Sequence, residues 1–248
     1  MADAKRNKRA FSAPAPRQDW ALFLDIDGTL IDLAPTPESV VVPDTLAGSL
    51  TAARSWLGGA LAIVSGRTLP KIDELMSYLK LPCAAEHGAV VRLPDGEIKI
   101  QGPCCAVPDT WRKQVLAATQ NWLDVIVECK PYSIAIHFRR APDRERDVLK
   151  LLEALIAGSS AFEVLSARMA YEIRQRGVTK GAAVREFMKQ APFLGRAPVF
   201  VGDDVTDEDG FRAAREMGGL ALHVNEVFGG APSNVRQWLR EFRSAEPS

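Results

Sequence analysis

Two aspartates, Asp25 and Asp27, close an apolar run of buried-strand length, and the chain continues as Gly28-Thr29-Leu30. Carboxylates two residues apart, followed by a turn glycine, are able to face one ion and one substrate. One attacks as a nucleophile while its neighbour handles protons. The same residues also fit an Asx-type turn that merely ends a strand. A second acidic cluster reads Gly202-Asp203-Asp204-Val205-Thr206-Asp207-Glu208-Asp209, with five carboxylates in the seven residues from Asp203 on. Acidic residues are favoured at a helix start, but five exceed what capping needs. Oxygen-only ligands of this kind select a hard cation such as Mg²⁺.

Two further groups complete a possible chemistry. Ser65-Gly66-Arg67 ends another apolar run. A hydroxyl and free N–H groups after a strand suit a phosphate oxygen, and they equally suit an ordinary turn. Lys180 opens a predicted helix, where a cation opposes the macrodipole. Helix formation gives no reason for it, whereas an acidic, phosphate-binding cleft does. Together the set is able to bind a phosphate dianion, neutralise it with a cation and Lys180, and attack it with a carboxylate.

These groups work only if the fold brings them together. Open parallel sheets bind ligands beyond the carboxyl ends of their strands, and each group follows such a run. Strand-like runs at 20–25 and 60–65 alternate with helical patterns near 43–53 and 70–80. A short strand at 83–86 precedes a hairpin over 89–100 around Pro94-Asp95-Gly96. The pattern then becomes α-β-β-α-β-β. A helix carries Trp111, Val115, Ala118, Trp122 and Val125, and strands follow at 125–129 and 133–139. A second helix spans 143–157 with Val148, Leu151, Leu152 and Leu155 on one face, then strands at 162–165 and 170–174. Alternation resumes with a helix at 179–189, a strand at 198–202, a helix after Asp207, a strand at 220–224 and a helix at 233–242.

The expected fold class is therefore α/β: one domain built from both ends of the chain with an inserted α+β domain, which the family resemblance of its motifs implies to be a Rossmann-like three-layer core and its cap. The expected division is a disordered tail at 1–17, core at 18–101, cap at 102–174 and core again at 175–248.

Composition limits the classes of function. The chain has 248 residues, 31 basic and 31 acidic, so no global field draws it to nucleic acid or a membrane surface. No apolar run approaches the ~18 residues needed to cross a bilayer. The basic first residues lack the apolar stretch of a secretory signal. Cys83, Cys104, Cys105 and Cys129 form no CxxC pair, so neither a disulfide framework nor a zinc site is expected. A cytoplasmic setting follows.

On these motifs the sequence resembles the haloacid dehalogenase superfamily of phosphohydrolases. Asp25-Ile26-Asp27-Gly28-Thr29 looks like its first motif, Ser65 its second, Lys180 its third and Gly202-Asp203-Asp204 its fourth. More narrowly, residues 20–240 resemble the trehalose-6-phosphate phosphatases. Glu86-His87-Gly88 after the third strand, Asp203 to Glu208, and Lys130-x-x-Ser133-x-x-x-His137-x-Arg139 carry that likeness.

The resemblance implies roles. Asp25 would be the nucleophile that becomes an aspartyl phosphate, and Asp27 the acid and base. Mg²⁺ would be held by Asp25, the Asp27 carbonyl and Asp203, with Asp207 behind them. Ser65 and Lys180 would hold the phosphate, with Gly28, Thr29, Gly66 and Arg67 beside it. Glu128, Lys130 and Glu172 would bind sugar hydroxyls, with His87, Ser133, His137 and Arg139 nearby. Each also admits a bland reading: Glu128 and Lys130 as a solvated cross-strand pair, His87 as a turn residue, His137 at a core edge. Arg174 and Arg176 are left unassigned, and His223 reads as structural.

The implied activity is hydrolysis of trehalose 6-phosphate by a monomer, coupled functionally to a trehalose-phosphate synthase. Two alternatives stay open: a capped phosphatase acting on sucrose phosphate or mannosyl-3-phosphoglycerate, and a non-catalytic sugar-phosphate sensor. The intact pair Asp25 and Asp27 favours an enzyme.

Overall fold

A computed structural model describes residues 12–76, 79–102 and 105–243. In chain order the elements are β1 (Trp20–Leu24), α1 (Thr45–Trp56), β2 (Leu61–Val64), α2 (Leu69–Leu75), β3 (Cys83–Ala85), β4 (Val90–Arg92) and β5 (Ile98–Ile100). Then come α3 (Asp109–Thr119), β6 (Ile126–Cys129), β7 (Ile134–His137), α4 (Glu145–Ile156), β8 (Phe162–Ala167) and β9 (Ala170–Gln175). The chain closes with α5 (Lys180–Phe187), β10 (Ala197–Gly202), α6 (Glu208–Glu216), β11 (Leu220–His223), α7 (Val224–Val227) and α8 (Pro232–Leu239).

Seven strands form one sheet in the order β11-β10-β1-β2-β3-β4-β5. Its first five strands are parallel and the β3-β4-β5 meander is antiparallel. The central strands β1 and β2 are buried at every residue. A parallel strand covered on both faces must be continuously apolar, which is why Trp20–Leu24 reads WALFL. Phe23, Phe187 and Phe193 pack together beneath the sheet, with ring centroids 5.2–5.9 Å apart.

The α-β-β-α-β-β insertion folds as a second, antiparallel sheet in the order β6-β7-β9-β8. Its own core holds Val115, Ile134, Ile136, Val148, Leu152, Phe162 and Ile173. Helices α3 and α4 therefore cover one face and leave the other free to meet the first sheet. This is the expected Rossmann-like core with an α+β cap. The cap contacts the core closely. Arg139 Nη1 donates to Ala34 O at 2.6 Å, and Tyr132 N–H donates to Glu86 Oε2 at 2.8 Å.

Three expectations shift. Helix α3 stops at Thr119, short of Trp122 and Val125, and the connection to β6 turns at Asp124, with φ +63°. Helix α2 stops at Leu75, and residues 77–78 of the expected helix lie outside the described residues, as does Cys104. Of the expected disordered tail, residues 1–11 also lie outside, but 12–17 pack on the core. Ser12 N–H donates to Val227 O, Trp238 Nε1 donates to Pro14 O, and Ala13 is buried. Composition alone did not show that an alanine-proline stretch meets a tryptophan. Among the described residues Cys83, Cys105 and Cys129 are free, and no helix is long and apolar enough to cross a membrane.

Candidate active site

The strand order places β1 between β10 and β2, so their carboxyl-end loops deliver three groups of residues to one point. Asp25 follows β1, Ser65 follows β2, and Asp203 follows β10. Lys180 is the first residue of α5, whose start is capped by the Thr179 hydroxyl accepting from Ala182 N–H. Lys180 is buried, and its ammonium donates to Asp25 Oδ1 at 2.8 Å and Asp207 Oδ1 at 2.6 Å. Burial opposes the charge of Lys180, but the two carboxylates outweigh it and raise its pKa. Its awkward place at a helix start is thus offset by direct ion pairs.

Asp207 is fully buried and has both oxygens in use. Its Oδ2 accepts from the backbone N–H groups of Asp203, at 3.0 Å, and Asp204, at 3.1 Å. It therefore shapes the loop after β10 and holds Lys180. Burial pushes the Asp25 carboxyl well above its ordinary range, against the pull of Lys180. Burial, with repulsion from Asp207 and Asp204, pushes Asp203 up to about 7.

These aspartates fit a hard cation. Oxygens of Asp25, Asp203 and Asp207 lie within 4.8 Å of one another, and buried Asp203 Oδ1 has no hydrogen-bond partner. Gly28 leaves the room: at φ +76° a Cβ there would stand 2.1 Å from Asp203 Oδ2. Clustered oxygens of partly buried carboxylates suit a divalent ion.

Asp27 lines the same cavity but is held by a different partner. Arg67 grips both its oxygens, Nε to Oδ2 and Nη2 to Oδ1, each at 2.7 Å. Ser65 is buried at the cavity wall, where its Oγ accepts from Arg67 N–H at 3.3 Å.

The cap sheet supplies the roof. Register aligns Glu128 with Ala135 and Ala135 with Glu172, so the two glutamates share one row across β6, β7 and β9. Lys130, in the β6–β7 turn, is buried. It donates to Glu172 Oε1 and to Gly66 O, each at 3.1 Å, with Glu128 Oε2 at 3.5 Å. This excludes the solvated cross-strand reading. Glu172 also pairs with His87 Nε2 at 3.1 Å. Burial opposes the charge of Glu172, but Lys130 and His87 hold its carboxyl well below the usual range. Burial lowers the His87 pKa, against Glu172. Glu86, His87 and Gly88 all have positive φ, at 48°, 58° and 111°. Non-glycine residues seldom adopt that region, and here it aims two polar side chains from the core at the cap. Gly66 must lack a Cβ, which would meet His87 Nε2 at 2.6 Å.

Asp25, Asp27, Ser65, Lys130, Glu172 and Lys180 thus line one cavity, open to solvent at its mouth. Glu128, His137 and Arg139 line it, and His137 Nε2 lies 3.3 Å from Glu128 Oε2. Three expected substrate-site residues are not on its wall. Thr29 is buried where the chain turns back, with Ile26 O accepting from its N–H, and Gly28 serves only to admit Asp203. Ser133 is buried, and its hydroxyl has no hydrogen-bond partner among the described residues. Arg174, unassigned from sequence, bonds Glu163 at 2.9 Å and reaches Asp209 at 3.5 Å. His223 lies against Phe211, ring centroids 3.8 Å apart, as a structural residue should.

Sequence reasoning missed the segment from Leu33 to Val40, which lines the cavity through Leu33, Ala34, Pro35, Thr36, Pro37 and Val40. It also missed Arg168, whose N–H donates to Asp204 Oδ2 at 3.2 Å. The paired prolines were the available signal for a fixed wall.

Comparison with known proteins agrees with this arrangement. Residues 23–242 match the family model described as trehalose-phosphatase. A probable trehalose-phosphate phosphatase of Sinorhizobium fredii is 42% identical over 222 residues, covering 87% of this chain and 83% of that one. The trehalose-6-phosphate phosphatase of Escherichia coli is 34% identical over 205 residues, covering 83% and 77%. The C-terminal domain of the Candida albicans trehalose-6-phosphate phosphatase superposes with a TM-score of 0.76 at 19% identity, covering 91% of this chain and 93% of that one. That last likeness speaks for the fold. The family match spans nearly the whole described chain, and the chain belongs to the trehalose-phosphatase family.

Proposed function

We propose that the protein hydrolyses trehalose 6-phosphate to trehalose and inorganic phosphate through an aspartyl phosphate on Asp25. The observation that carries this is the convergence of Asp25, Lys180 and Asp203 beneath the buried Lys130–Glu172 pair of the cap. An Asp25 oxygen attacks phosphorus, and the bond from phosphorus to the sugar oxygen breaks with its electron pair on that oxygen. The Asp27 carboxyl gives its proton to it. Water then attacks phosphorus, Asp27 takes the water's proton, and the bond to Asp25 breaks to release phosphate. Both carboxyl groups end as they began.

Asp25, Asp203 and the Asp27 carbonyl would hold a divalent ion, which we assign as Mg²⁺, with Asp207 supporting them from behind. When bound, the ion neutralises a phosphate dianion that the carboxylates would otherwise repel. Lys180 and Ser65 orient the phosphate. The boundaries expected at 102 and 174 enclose the cap but for Gln175, the last residue of β9, and its Glu128, Lys130 and Glu172 read sugar hydroxyls. Donor and acceptor groups side by side suit a glucose face, which presents both.

A panel of sugar phosphates assayed for phosphate release with Mg²⁺ tests the reading. Trehalose 6-phosphate should be turned over with the highest kcat/KM. Preference for sucrose phosphate or mannosyl-3-phosphoglycerate, or binding without turnover, would overturn it.

A further inference from the structure

Arg67 was expected beside the phosphate, yet each of its three guanidinium nitrogens already has an acceptor within the chain. Nε and Nη2 hold the two oxygens of Asp27, and Nη1 donates to Pro37 O at 3.0 Å. The Arg67 side chain is 10% exposed and that of Asp27 is 32% exposed. A carboxylate with that much solvent around it has room to rotate, and a two-point fork removes that freedom. The same guanidinium ties Asp27 to the 33–40 segment, whose Ala34 carbonyl is gripped from the cap by Arg139.

We propose that Arg67 is a positioning residue for Asp27: its fork sets the orientation from which Asp27 passes protons. It also couples that orientation to the wall of the cavity the cap closes on. The inference rests on the acid–base role of Asp27 given above. A lysine supplies the charge of Arg67 but not its planar fork, so charge and orientation are separable.

The test compares Arg67→Lys, Arg67→Ala, Asp27→Asn and the double variant Arg67→Ala/Asp27→Asn on trehalose 6-phosphate. Correct folding is checked by circular dichroism and thermal melts. Proton transfer supplies about 10²–10⁴-fold, so disordering its donor should lower kcat of Arg67→Lys by about tenfold or more, with KM little changed. Residues acting as a unit are non-additive. Once Asp27 is Asn, losing Arg67 should cost almost nothing further. Added guanidinium should restore part of the activity of Arg67→Ala. Arg67→Lys keeps the charge and much of the stem, so it carries the test if Arg67→Ala misfolds.

A raised KM with kcat intact would place Arg67 on the substrate and overturn the proposal. So would losses that multiply in the double variant. Near-normal turnover by Asp27→Asn would instead refute the acid–base reading itself, which keeps the two failures distinct.

Discussion

Lys130 of the cap donates to the carbonyl oxygen of Gly66 in the core at 3.1 Å, across 64 residues of sequence. The same ammonium holds Glu172. Roof and floor of the cavity are therefore joined at the residues assigned to the sugar. Binding energy from remote groups also positions the reacting centre. Lys130→Ala and Glu172→Ala should each lower kcat/KM for trehalose 6-phosphate by about tenfold or more, from roughly 1.5–3 kcal/mol per charge-assisted hydrogen bond. Turnover of p-nitrophenyl phosphate, which has no sugar, should change little, whereas Lys180→Ala should harm both. Equal losses on both substrates for the cap variants would show that the cap does not read the sugar.

Removal of the divalent ion should abolish activity, and Mg²⁺ should restore it. A second readout avoids turnover altogether. An ion that binds only the folded state raises its stability by mass action, so added Mg²⁺ should raise Tm in wild type. It should do so far less in Asp203→Ala. An identical rise in both would remove Asp203 from the ligand set.

Asp207 is fully buried with three acceptor contacts, one to Lys180 and two to the loop after β10. Removing one partner of a buried, hydrogen-bonded pair typically costs about 3–5 kcal/mol. Asp207→Ala should lower the urea midpoint accordingly, with the m-value unchanged. A loss below about 1 kcal/mol, the median worth of an exposed pair, would contradict its structural role.

The buried His87 gives stability a pH dependence with a definite sign. Its pKa is lowered on folding by burial, and Lys180 and Lys130 add to this while Glu172 opposes it. The unfolded chain then binds more protons below its own pKa of about 6.5, so stability falls as pH drops through that value. The depressed carboxyl of Glu172 acts in the same direction at lower pH. The slope approaches about 1.4 kcal/mol per pH unit for one proton. Thermal melts between pH 7.5 and 5.5 should show a steeper loss in wild type than in His87→Gln. Parallel curves would mean that His87 keeps its ordinary pKa in the fold.

The sequence made the α/β alternation, the Pro94-Asp95-Gly96 hairpin and the inserted block legible, because each is set by local periodicity and turn chemistry. Asp25, Lys180 and Asp203 were legible for a related reason: Asp25 and Asp203 follow strand ends and Lys180 opens a helix, where a cation is unfavourable. Lys130, Glu172 and His87 became legible through family likeness, since burial of a charged residue leaves no local mark. The Leu33–Val40 wall was not legible, because its contacts run through Ala34 and Pro37 carbonyls that every residue type carries. Arg67 was assigned to the phosphate because its neighbours in sequence suggested it. Its real partner, Asp27, lies 40 residues away.

Four of the bonds that close the cap share a composition. Lys130 meets the carbonyl of Gly66 and Arg139 that of Ala34, while Glu86 and Asp204 receive the backbone N–H groups of Tyr132 and Arg168. In each, one partner is main chain and does not change when its residue is substituted. Such a contact offers a single position to mutation, so no compensating exchange between two side chains arises to record it. Among homologues, this domain interface should leave far weaker co-variation than its closeness implies. The pairs His87–Glu172 and Arg174–Asp209, joined side chain to side chain, are where such a trace should concentrate.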